Sequence, residues 1–428
     1  VTNNVLHLKT APSTPHLIPP SSKHLAKRRS ELTPSPKYKR QEEDLAAVQE
    51  DLITLGGRVY MTDVTLAGQI FTLVIDTGSS DTWVASSSFQ CLNPSTLSPI
   101  SPQYCGFNTP YNTRNSSTWR PIRGHGFSVH YTGGEFLLGD LGTEELGIGD
   151  VYLGREPTVV VRQTIGVVDE GYWLGDGMSS GLIGLAYSAL VSGARTLGYG
   201  SVMYTLTKED WIPPVFSLAL SRPTVKYPMA GGMLAIGGIP DIPHDDHFVT
   251  VPIQPLASGV YAFYAVKVDG FDITPPTPEP ASSSSASSKS SPRMLDPATF
   301  KVKMIFDSGS SLLYLPNAIT DYIASLFDPP AKYNASSDLF IVPCNASAPR
   351  VGIIIGGKSF YIHEDDLMNK SPGAVGGPGV GAPRGMCALA VQRAGKGSLV
   401  LGDSWLKNVL VVFDLEDHEI RIAARENY

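Results

Sequence analysis

Along this chain, short runs of β-branched and aromatic residues alternate with clusters of Gly, Asn, Asp and Pro, and that rhythm predicts strands joined by tight turns. From about residue 56 such runs stand at 71–75, 127–131, 158–161, 215–220, 261–268 and 410–413. Helical periodicity is confined to 41–55, 201–208, 318–326 and 364–368. Two stretches read as neither. Residues 274–292, a Thr-Pro-Pro-Thr-Pro-Glu-Pro run followed by a Ser/Ala tract, are low in complexity, cannot build a core and predict a surface insertion open to O-glycosylation. Residues 371–385 predict a loop rich in Gly and Pro.

One pattern occurs twice. Phe71-Thr-Leu-Val-Ile-Asp76-Thr-Gly-Ser-Ser80 is echoed by Val302-Lys-Met-Ile-Phe-Asp307-Ser-Gly-Ser-Ser311. Each copy is followed, about a hundred residues on, by an apolar-Gly element: Leu182-Ile-Gly184-Leu and Leu399-Val-Leu-Gly402-Asp. The repeat predicts two similar lobes, each bringing one Asp to the middle. Gly78 and Gly309 permit the tight turn after the buried strand. Thr77 and Ser308 supply hydroxyls that can reach the opposite loop, and Ser79 and Ser310 can bond the carboxylates from outside. Two carboxyls held close together cannot both ionise cheaply, so the pair keeps one proton and becomes a base beside an acid.

These residues resemble the pepsin-like aspartic proteases. Asp76-Thr-Gly-Ser-Ser-Asp-Thr-Trp83-Val is similar to that family's first active-site motif, and Asp307-Ser-Gly-Ser-Ser-Leu-Leu-Tyr-Leu-Pro to the second. Ser116-Ser-Thr-Trp119 and Phe127-Ser-Val-His-Tyr131 resemble the approach to the family's flap, which makes Tyr131 the flap tyrosine with Trp83 in support. Ser180-Gly-Leu-Ile-Gly-Leu-Ala186 and Leu401-Gly-Asp-Ser-Trp-Leu406 through Val412-Phe-Asp414 resemble its two apolar-Gly elements. The resemblance covers roughly residues 56–428. It implies an all-β, bilobal fold with a central cleft and a flap, peptide or protein substrates, a monomer, and no metal or organic cofactor. Asp76 and Asp307 are then the catalytic pair. The flap departs from the family pattern: Thr132 follows Tyr131 where Gly is usual, and Gly133, Gly134 and Glu135 complete the tip. A charged hairpin tip is ordinarily solvated; an inward-facing Glu135 would instead pair with a substrate Lys or Arg.

Composition adds a compartment and a precursor. The chain has 428 residues, 42% hydrophobic and 17% charged, enough to bury a large core. It has no apolar run long enough to cross a membrane as a helix, and its net charge of −7 argues against nucleic acid. That charge is uneven: residues 1–40 carry +7 and the remainder −14. The basic arm resembles the family's prosegment. Val5-Leu-His-Leu-Lys9 looks like its opening strand, and Lys37 and Tyr38 look like the pair whose lysine occupies the catalytic carboxylates in related zymogens. Lys39-Arg40 is a dibasic processing site. The expected organisation is therefore a prosegment at 1–40, acting as an intramolecular inhibitor, an N-terminal lobe at 41–222 and a C-terminal lobe at 223–428. Four cysteines, none in a CxxC, fall two to each half, and N-x-S sequons stand at Asn115, Asn334 and Asn345. Together with a start at Val1 that lacks both Met and an apolar leader, they point to a secreted, oxidised protein whose signal peptide has been removed, with vacuolar or cell-surface location also open. One loop per lobe, as in the family, implies Cys91–Cys105 and Cys344–Cys387.

Other motifs are weaker. Gly177-Met-Ser179-Ser-Gly181 fits G-x-S-x-G, but an apolar strand follows where a serine hydrolase needs a helix. His244-Asp-Asp-His247 has no third ligand and reads as a solvated loop. His130 alternates away from Tyr131 and reads as a surface residue. A catalytically inactive binding protein on the same fold is the alternative, and the two intact Asp-x-Gly motifs weigh against it.

Overall fold

The computed structural model describes residues 48–425 except 56, 58, 150, 152–155, 158, 195, 209–211, 277–296, 298–299, 336 and 370–384. Lys37, Tyr38, Lys39 and Arg40 of the basic arm lie outside the described residues, as do most of 274–292 and 371–385.

The fold is all-β and bilobal. A thirteen-stranded sheet runs through it. Within it Val48–Leu55 pairs antiparallel with Ala230–Ile236 on one side and Val59–Leu66 on the other. Beyond Ala230–Ile236 come Val215–Leu220, Val409–Asp414, Glu419–Ala424 and Val249–Pro252, all antiparallel. Beyond Val59–Leu66 come Gln69–Asp76, Gly181–Gly184, Thr82–Cys91, Val159–Tyr172, Phe136–Ile148 and Arg120–His130. Sheets of five, three and four strands complete the second lobe.

The helical periodicity at 41–55 is overturned for its described part. Residues 48–55 form a strand. Val48, Leu52 and Ile53 are buried between two partner strands, and the gain from those two ladders outweighs local helix propensity. The other three helical stretches hold as Val202–Thr207, Asn317–Leu326 and Glu364–Leu367. The run expected at 158–161 is the start of a much longer strand, Val159–Tyr172, whose polar positions such as Arg162 and Glu170 hide its length in the sequence.

A buried charge cluster ties distant segments together. The Lys407 ammonium lies 2.6 Å from Asp366 Oδ1 and donates to the Gly57 carbonyl, and Arg222 Nε donates to Asp366 Oδ2 at 2.7 Å. Because each charge is paired, the cluster escapes the penalty of an isolated buried ion, and removing one partner would expose it. Two disulfides, Cys91–Cys105 and Cys344–Cys387, each close a loop within one lobe.

Candidate active site

The sequence repeat becomes a structural repeat. Gln69–Asp76 leads into the first Asp loop and Thr82–Cys91 leaves it, and the apolar-Gly strand Gly181–Gly184 inserts between them, parallel to the first and antiparallel to the second. In the other lobe Val400–Leu401 inserts likewise between Val302–Phe306 and Leu313–Leu315. The glycines that end these inserted strands are required by space. A Cβ on Gly184 would overlap the backbone of Ser79 and Ser80, and one on Gly402 the carbonyls of Ser310 and Leu312. Backbone bonds then lock each loop, Leu185 N to Asp76 O at 2.8 Å and Asp403 N to Ser310 O at 2.8 Å.

The two loops meet. Thr77 Oγ1 donates to Phe306 O at 2.9 Å and accepts from Ser308 N at 2.9 Å. Ser308 Oγ donates to Ile75 O at 3.0 Å and accepts from Thr77 N at 3.1 Å. This reciprocal clamp sets the carboxyls face to face, so that a Cβ on Gly78 would overlap the Asp307 carboxyl and one on Gly309 the Asp76 carboxyl. Asp76 accepts from Gly78 N at 2.7 Å and from Ser79 Oγ; Asp307 accepts from Gly309 N at 2.9 Å and Ser310 Oγ at 2.7 Å.

Both carboxyls are buried, Asp76 at 5% and Asp307 at 7% exposure. Burial, reinforced by the Asp307 charge, pushes Asp76 up to about 7. Burial opposes charge on Asp307 too, and the bonds it receives from Ser310, the Asp76 carboxyl and Gly309 favour its ionised form. The arrangement thus supports one proton, on the Asp76 side, and one charge, with the two titrating as a unit.

Over the pair hangs a hairpin. Arg120–His130 and Phe136–Ile148 pair down to His130 opposite Phe136, leaving Tyr131–Glu135 as the tip, closed by Tyr131 N to Glu135 O at 2.9 Å. Trp83 Nε1 donates to Tyr131 Oη at 2.7 Å, and Trp173 packs edge-on against both rings. Burial and the Asp76 charge raise Tyr131 well above the phenol range, so it stays a neutral hydroxyl. Thr132, Gly133 and Gly134 are exposed, but Glu135 is not: it is 1% exposed, which corrects the expectation of a solvated tip.

The weaker motifs do not join the site. Ser179 is buried, with the strand Gly181–Gly184 after it, and its hydroxyl has no partner. Asp245 pairs with Lys358 and His247 on the surface. His130 is exposed and stacks on Phe136. No group of His, Cys, Asp and Glu among the described residues could hold a metal ion. Asn115 and Asn345 are exposed and Asn334 is half-buried. Two residues near the pair escaped sequence reasoning. Trp173 carries no local signal. Asp403 follows the second apolar-Gly element directly, and that position beside an Asp loop was the available sign; it is fully buried, and neither of its carboxyl oxygens has a hydrogen-bond partner.

Comparison with known proteins agrees with this geometry. The model of the eukaryotic aspartyl protease family matches residues 59–425. A probable aspartic-type endopeptidase of Aspergillus fumigatus is 33% identical over 379 residues, covering 85% of this chain and 78% of the relative. Candidapepsin-3 of Candida albicans is 24% identical over 85% of this chain and 79% of its own. Barrierpepsin of Saccharomyces cerevisiae is 26% identical over 84% of this chain and 59% of its own.

Proposed function

This chain belongs to the eukaryotic aspartyl protease family, and on that premise we propose that it is the proform of a secreted endopeptidase that cleaves peptide bonds in acid through Asp76 and Asp307. The observation that carries the reading is the reciprocal Thr77–Ser308 clamp, which holds two buried carboxyls against each other. In the proposed reaction Asp307, ionised, takes a proton from a water as its oxygen attacks the scissile carbonyl carbon. Asp76 gives its proton to the developing oxyanion. The tetrahedral intermediate then collapses, the C–N bond breaks, and the amine leaves with a proton returned by the pair. Tyr131, held by Trp83, covers the cleft and limits water.

The lobes in this reading are 41–222 and 223–428, and the arm at 1–40 holds the precursor latent. Its +7 charge against a body of −14 supports a clamp that weakens as acid protonates body carboxylates, with Lys37 placed at the pair. Cleavage after Arg40 is the other release route. The even cysteine usage, both disulfides and the exposed sequons Asn115 and Asn345 support secretion.

The test is direct. Asp76→Asn and Asp307→Asn should each lower kcat/KM by at least about 10⁴-fold, while each variant unfolds cooperatively and keeps wild-type circular dichroism. Turnover retained in either folded variant would end the two-aspartate reading and favour an inactive or differently built site.

A further inference from the structure

We propose that the outer edge of the flap hairpin, along Arg120–His130, is a docking surface for an extended acidic polypeptide that adds a strand there. The inference stands apart from the endopeptidase reading, because it needs neither aspartate.

Three observations converge. The first is an open edge. Arg120–His130 is the last strand of the thirteen-stranded sheet, and among the described residues its one strand partner is Phe136–Ile148. Pairing is regular from Gly126 to His130, so alternate backbone N–H and C=O groups of that stretch turn outward. An extended polypeptide satisfies such a row, whereas a polysaccharide has no matching ladder of donors and acceptors.

The second is charge. Residues 82–134 contain no Asp, Glu or Lys, in a chain whose net charge is −7. Arg114, Arg120, Arg123, His125 and His130 are all exposed, and no ion pair among the described residues includes any of them. Asp140 is the one carboxylate paired with this strand in the ladder, and Asp169 and Glu170 lie a strand further in. Like charge keeps a second copy of the same edge away, and the same charge draws an acidic chain.

The third is access. Other glycines of this hairpin are demanded by space: a Cβ on Gly139 would overlap the Val167 backbone, and one on Gly142 the Trp119 ring. Gly126 is not. A Cβ there would meet only Gly139 O, at an ordinary 3.5 Å, and the irregularity before it turns on Gly124, at φ 79°. A glycine without either need leaves the backbone beside His125 and Phe127 bare, where another backbone can approach closely. Because Tyr131 follows His130, a docked strand also lengthens the ladder behind the flap tip.

The experiment uses the full chain carrying Asp307→Asn, which spares the probe from cleavage and leaves this edge unchanged. The probe is a fluorescent peptide alternating Glu with Thr, and its affinity is read by anisotropy at low ionic strength and at about 0.5 M salt. The probe should bind, weaken with salt, and lose about tenfold in affinity when Arg123→Glu and His125→Glu are combined in a chain that keeps its circular dichroism. Bound probe should slow deuterium exchange of amides within Gly126–His130. A second probe of the same charge, N-methylated at alternate residues, should bind about tenfold more weakly because it cannot complete the ladder. The basic arm at 1–40 is the other cationic target, so an affinity that charge reversal at Arg123 and His125 leaves unchanged overturns the proposal. So does the absence of binding at low salt. Equal affinity for the methylated probe, or full competition by dextran sulfate with no amide protection, shows a site for polyanions in general and overturns strand docking.

Discussion

The two Asp loops make the same bonds and keep different company. Each carboxyl accepts from the glycine N–H two residues on and the serine hydroxyl three residues on, and each loop closes over an inserted glycine-ended strand. Around that shared frame the lobes diverge. Five residues after the first aspartate stands Asp81, which accepts from Tyr199 Oη and, at 2.8 Å, from Ser192 N; the matching position in the second loop is Leu312. After the inserted strand the first lobe has Leu185 and the second has Asp403, buried and unpartnered. The first lobe carries a hairpin with a five-residue tip. The hairpin Arg350–Ile355 with Lys358–Ile362 in the second turns on Gly356 and Gly357, both at positive φ, and has no tip to spare. Shared bonds fix where the carboxyls sit, and the unshared surroundings make the two loops electrostatically different.

Breaking the frame itself should have the largest effect on stability. Thr77→Val and Ser308→Ala each remove one bond made and one accepted across the lobes, and each should cost about 2–4 kcal/mol in urea unfolding. Clearly unequal costs would show that the clamp is symmetric in drawing only. The two outer serines probe the proton next. Ser79 bonds the charged form of Asp76 and lowers its pKa, so Ser79→Ala should move the alkaline limb of the activity profile to higher pH. Ser310 bonds the charged form of Asp307 and favours it, so Ser310→Ala should move the acid limb up instead. Each shift should be on the order of one pH unit, and two serines moving the same limb would contradict the asymmetry. Asp403 should matter least. Burial raises it well above the carboxylate range although Lys407 opposes this, which favours its neutral form. Asp403→Asn should leave the pH profile where it was, and a displaced limb would show that Asp403 ionises beside Asp307.

The fold class and the pair were legible because their signals are local and doubled. An apolar strand ending in Asp-x-Gly, seen twice, needs no tertiary information, and the strand expected at 215–220 is found with the same bounds. The flap was legible in part: its strands and Trp83 could be read, while the burial of Glu135 could not, because tertiary packing decides whether a tip residue meets water. The strand at 48–55 was misread for a related reason. Leu-Ile-Thr-Leu with charged residues before it suits a helix in isolation, and the two strands that claim it lie adjacent at 59–66 and far away at 230–236. Tyr199, which bonds Asp81 across 118 residues, left no trace in the sequence at all.

The shared sheet has a mechanical consequence. All six positions of Val215–Leu220 and all six of Val409–Asp414 are buried, and these strands are hydrogen-bonded to each other and onward to strands of both lobes. Lobes joined by a loop would swing on a pivot. Lobes joined by a continuous ladder can separate only by twisting it, and a twisted ladder stores elastic strain that restores the original shape. Cleft opening would accordingly have to twist this buried ladder, and the amides of those two strands should be among the last to exchange with solvent deuterium.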